Sequence, residues 1–103
     1  MPFFQEERIE VRVSDNRQIH IIVQDMSGNR LQDATVVIER TPFPVEEASK
    51  RVSAKGEVDF NIKAIGLYEL SCHAAGFEPT SITAMITDTP VSLVLIPLRP
   101  AEV

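Results

Sequence analysis

The sequence predicts a single all-β domain, a sandwich of seven or eight short strands, and three observations predict it. Apolar and polar residues alternate with period two in segment after segment, while the longer period of an amphipathic helix is nearly absent. Clusters of Gly, Pro, Asp and Asn divide these segments at the spacing typical of sandwiches. A chain of 103 residues, 44% of them hydrophobic, furnishes one packed core but not two. Such strands bury their inner faces only by closing into two packed sheets or a barrel, and at this length the sandwich is expected.

The alternation then assigns each element. Ile9, Val11 and Val13 alternate with Glu10 and Arg12, Ser14 to Arg17 reads as a turn, and Ile19, Ile21 and Val23 alternate again, so the two runs suggest a hairpin. Asp25-Met26-Ser27-Gly28-Asn29 is the clearest turn, because glycine reaches positive φ and Asp and Asn hydrogen-bond their own backbone. Ala34, Val36 and Ile38 share one face of the next strand, and residues 41 to 50, with two prolines, form the longest irregular connection. A short strand is expected near Arg51 to Ser53, then a turn at Lys55-Gly56 and a strand with Val58, Phe60 and Ile62 inside. From Gly66 onward Tyr68, Leu70 and Cys72 point inward, as far as the corner Gly76-Phe77-Glu78-Pro79. Ile82, Ala84 and Ile86 continue the pattern, and Asp88-Thr89-Pro90 leads into a last strand, Val91 to Leu98, that is apolar on both faces. Residues 99 to 103 read as a tail.

Composition narrows the function. Fifteen acidic against ten basic residues give a net charge of -5, with no run of Lys and Arg, which argues against nucleic-acid binding because the phosphate backbone must be met by clustered positive charge. The opening Met-Pro-Phe-Phe-Gln-Glu-Glu is too acidic and too poor in apolar residues for a signal peptide, and no stretch approaches a bilayer span, so no membrane insertion is expected. As written the chain reads as cytoplasmic, unless it is a piece of a larger exported protein or assembly. Cys72 is the one cysteine, which excludes an intramolecular disulfide and a multi-cysteine zinc site, and its strand neighbours mark it as a buried thiol.

The order of motifs carries a resemblance. Val23-x-Asp25-x-x-Gly28-x-x-Leu31-x-x-Ala34-x-Val36, then Gly56-x-Val58-x-Phe60, then Gly66-x-Tyr68-x-Leu70, then Ala75-Gly76-Phe77 resembles the carboxypeptidase regulatory-like domain, of the transthyretin-like and Cna-B-like sandwiches. The resemblance covers about residues 18 to 98 and implies an antiparallel Greek-key sandwich of transthyretin (prealbumin) type. Residues 1 to 17 then form an appended segment with one extra strand, available to pair within the domain or with a neighbouring chain.

The chemistry known on such sandwiches has requirements that this chain does not meet. Hydroxyisourate hydrolases need paired histidines, an arginine and a Tyr-Arg-Gly-Ser end, whereas this chain ends Leu98-Arg99-Pro100-Ala101-Glu102-Val103. Intradiol dioxygenases hold iron with two tyrosines and two histidines, and Tyr68 is the one tyrosine here. A Lys to Asn crosslink of the Cna-B kind lacks its lysine in Gln18 to Asp25 and its asparagine in Val91 to Leu98. His20 and His73 have no ligand spacing around them, and Glu57, Asp59 and Asn61 read as the solvated face of one strand rather than a calcium loop. No catalytic residue, metal or cofactor is therefore expected.

A non-enzymatic structural or protein-interaction module is the expected role: a spacer, stabiliser or docking domain for another protein or a neighbouring domain, with a homo-oligomer as a further expectation. Contact residues are expected at Phe43 and Val45 in the proline-bearing loop, since loops on a rigid sandwich carry recognition, and at Ile22, Val37, Val94 and Ile96, aliphatics at positions read as outward. The rival is a carbohydrate- or small-ligand-binding sandwich, against which the absence of Trp and a single, inward Tyr count.

Overall fold

The structure, a computed structural model, describes residues 17–101, so the expected strand at Ile9 to Val13 lies outside the described residues. Seven strands follow in order: β1 (Arg17–Asp25), β2 (Ala34–Arg40), β3 (Ser49–Arg51), β4 (Glu57–Ile62), β5 (Gly66–Ala74), β6 (Thr80–Ile86) and β7 (Val91–Leu98). No helix occurs among the described residues, and none is therefore long and apolar enough to cross a membrane. The strands form two sheets, one in the order β4-β1-β7 and the other in the order β3-β2-β5-β6.

Between the sheets lies one core, built from the inner phase of each strand. Ile19, Ile21 and Val23 of β1, with Phe60 and Ile62 of β4 beside them, face Val36 and Ile38 of β2 and Tyr68, Leu70 and Cys72 of β5, all of them buried. Here the alternation chose correctly, because only one of the two phases in each of these strands is apolar. The Cys72 thiol is fully enclosed, and burial pushes its pKa up to about 11, which keeps it protonated and inert.

The turns follow from side-chain chemistry. Asp25 accepts the N–H groups of Asn29 and Ser27, each at 2.9 Å, and the first of these bonds, helped by the Asn29 amide, holds its carboxyl below the usual range. Gly56 has φ 74° and is wedged so that a Cβ would stand 3.0 Å from the carbonyl oxygens of Val23 and Leu31. A side chain there would be strained by the positive φ and crowded against backbone at once, which favours glycine.

Four readings need correction. The sandwich is not antiparallel throughout, because β1 and β7 pair in parallel, Ile21 beside Val94 and Val23 beside Ile96. A parallel pair needs a long crossover, and the excursion through the second sheet supplies it in place of a helix. That register turns Val94 and Ile96 inward with their β1 neighbours, so both leave the set of outward contacts; Ile96 is 1% exposed and Val94 half-buried against the core. The short strand falls at Ser49–Arg51 rather than Arg51 to Ser53, since Val36 and Val37 of β2 pair with Lys50 and Ser49, and Lys50 lays its ammonium over the Phe60 ring, 5.4 Å from the centroid. The tail is bound as far as Ala101, whose N–H donates to the Gly76 carbonyl while Glu78 N–H donates to that of Arg99.

Candidate interaction surface

The outer face of the smaller sheet is the most differentiated surface of the described residues, and three cross-strand rows build it. Asn61, Gln18 and Val91 form the first row, Asp59, His20 and Leu93 the second, and Glu57, Ile22 and Leu95 the third. Each row runs from a polar residue on β4, through β1, to an aliphatic residue on β7. The sheet is therefore acidic along one edge and apolar along the other.

Lateral bonds knit the polar side together. Gln18 Nε2 donates to Asn61 Oδ1 at 3.2 Å, His20 Nδ1 lies 2.5 Å from Asp59 Oδ1, and Arg30 Nη1 meets Glu57 Oε2 at 2.8 Å. The second ring nitrogen of His20 faces Glu57 at 3.8 Å. Its two nitrogens are thus turned to two different carboxylates, and among the described residues no three His, Cys, Asp or Glu side chains converge as a metal would require. His73 is exposed on the outer face of the other sheet, so the two histidines point away from each other across the sandwich.

The apolar side is β7 itself. Val91, Leu93 and Leu95 are 54%, 61% and 50% exposed, and Ile22 beside Leu95 is half-buried. Both phases of this strand are apolar, so the sequence alone signals a two-faced strand without saying which aliphatics are free. A contiguous aliphatic row beside a hydrogen-bonded polar row has the make-up of a protein contact surface.

The other expected contacts scatter. Val37 is half-buried on the opposite outer face, flanked by Ser71 and Ser49, and forms no patch with Ile22. In the loop, Phe43 is 39% exposed, whereas Val45 packs against the core. The loop is docked: Pro42 lies over Gly66, where a Cβ would come within 3.1 Å of its ring, and Thr41 Oγ1 donates to the Phe43 carbonyl at 2.6 Å.

No family profile matches this chain, and no curated protein does so either. Among solved structures, the phospholipase PlaB from Legionella pneumophila is similar, with a TM-score of 0.61 and 13% identity over 82% of this chain and 25% of that one. The match thus spans a quarter of the phospholipase chain, and at that identity the likeness is one of fold.

Proposed function

We propose that this chain is a non-enzymatic docking module that presents the outer face of its smaller sheet to another protein or a neighbouring domain. The observation that carries the reading is the row Val91, Leu93 and Leu95, three successive outward positions of one strand that are aliphatic and half or more exposed. Burying such a row is favourable at roughly 25 cal/mol per Å2 of apolar surface, and the adjoining polar row, fixed by its own hydrogen bonds, would set orientation. The order of glycine and aromatic motifs supports placing the module with the carboxypeptidase regulatory-like sandwiches of transthyretin type. The carbohydrate-binding alternative wants an exposed stacking ring, and Tyr68, the one tyrosine, is fully buried.

A photo-crosslinking residue at position 93 of the full chain, expressed in its own cells, tests the reading. A defined protein adduct that disappears in Leu95→Glu is the expected result. Adducts that are absent, or indifferent to Leu95→Glu, would overturn it.

A further inference from the structure

We propose that the sandwich bears tension along the chain, as a link between whatever precedes β1 and whatever follows β7, with those two strands as the clamp that resists the pull. The chain enters β1 at Arg17 and leaves β7 after Leu98, and the two strands are direct neighbours paired in parallel. Entry and exit therefore stand at opposite ends of one strand pair. A pull that draws the two ends apart drags β1 and β7 past each other along their common axis.

The register sets how much must give. Eight consecutive pairs, from Gln18 beside Val91 to Asp25 beside Leu98, run without a shift and make a contact about 23 Å long. Pulled along the strands, the hydrogen bonds of such a ladder are loaded together, and none yields alone. Had the pair been antiparallel, entry and exit would share one end, and the same pull would peel the strands apart bond by bond.

The surroundings reinforce the clamp. On its inner side Ile19, Ile21 and Val23 of β1 and Ile96 and Leu98 of β7 are buried, so water has no access there to replace a bond as it opens. The far side of β1 is held by β4, from Arg17 beside Ile62 to Ile22 beside Glu57, which makes β1 the middle strand and β7 the one that must slide. Beyond β7 the exit is pinned to the corner between β5 and β6. There the Arg99 carbonyl accepts Glu78 N–H at 2.8 Å, Ala101 N–H donates to the Gly76 carbonyl at 2.9 Å, and Phe77 bridges to Pro100, so part of the load passes to the second sheet before it reaches β7.

The inference goes beyond docking and stands without it, because the clamp lies in the plane of the smaller sheet and the docking surface on its outer face. Single-molecule pulling on the folded full chain, along two directions, tests it. In the first direction the handles sit on the two ends of the chain. In the second, one handle stays on the amino end and the other is fixed to the thiol introduced by Thr89→Cys, an exposed position at the foot of β7, where Gln18 N–H donates to the Pro90 carbonyl at 2.9 Å. The native Cys72 is buried and takes no handle. Both attachments then lie at one end of the β1 and β7 pair, and the pull peels it. At equal pulling speed the end-to-end direction should need at least about twofold more force and break in one event, since forced unfolding follows the rate of crossing the barrier and shear loads all the pairs at once. Equal forces along the two directions, or end-to-end unfolding at the lower force, would overturn the proposal.

Discussion

Tyr68 donates its hydroxyl to the backbone carbonyl of Ala64 at 2.6 Å, across the entry from β4 into β5. Both partners are buried, so neither has water as a substitute. Tyr68→Phe leaves that carbonyl unpaired and should cost about 1–3 kcal/mol, and Tyr68→Ala about 3–5 kcal/mol through the cavity it opens. Urea denaturation measures both; a phenylalanine variant as stable as the parent would mean that the hydroxyl bond contributes nothing.

The phase of β7 is tested by two neighbours. Ile96→Ala should destabilise by about 2–5 kcal/mol, because Ile96 fills the core beside Val23, whereas Leu95→Ala, on the exposed face, should change stability by less than about 1 kcal/mol. Equal losses in thermal unfolding would contradict the parallel register.

Gly56 and Gly28 both hold positive φ, at 74° and 92°, but only Gly56 is crowded. Alanine at Gly28 meets open space and should cost about 1 kcal/mol for the backbone conformation alone, while at Gly56 it also collides with two carbonyl oxygens and should cost at least twice as much. Chemical denaturation of the two variants side by side gives the comparison.

The enclosed Cys72 thiol should resist a thiol reagent at pH 8 in the folded chain and react at once when urea unfolds it. Its pKa is raised from 9.0 to about 11 on folding, so the folded state holds its proton longer than the unfolded state does. Stability from this group is complete below pH 9 and declines as pH rises toward 11. A folded protein labelled within seconds at pH 8 would place the thiol at the surface instead.

Leu93→Glu should leave the midpoint of unfolding within about 0.5 kcal/mol of the parent, as surface changes do, while removing any association through the outer face of β7. Analytical ultracentrifugation, alone and with a crosslinked partner once isolated, reads both effects.

By itself the sequence determined that the chain is an all-β sandwich and determined the inner faces of β1, β2, β4 and β5. Val58, Phe60 and Ile62 alternate with Asp59 and Asn61, and the phase of β1 opposite Ile19, Ile21 and Val23 is polar but for Ile22, so burial of one face admits one phase. The glycine turns were equally legible, because Gly28 and Gly56 need a backbone that other residues avoid. In β7 that logic runs out: Val91, Leu93 and Leu95 are as apolar as Val94, Ile96 and Leu98, and either set could have faced the core. Only the parallel register against β1 decided it, by placing Val94 and Ile96 beside Ile21 and Val23. The same non-local pairing brings His20 to Asp59, 39 residues away, and sorts polar from aliphatic residues across the outer face. Alternation is a property of one strand, whereas register is a relation between two, and so the fold could be read along the chain but the surface could not.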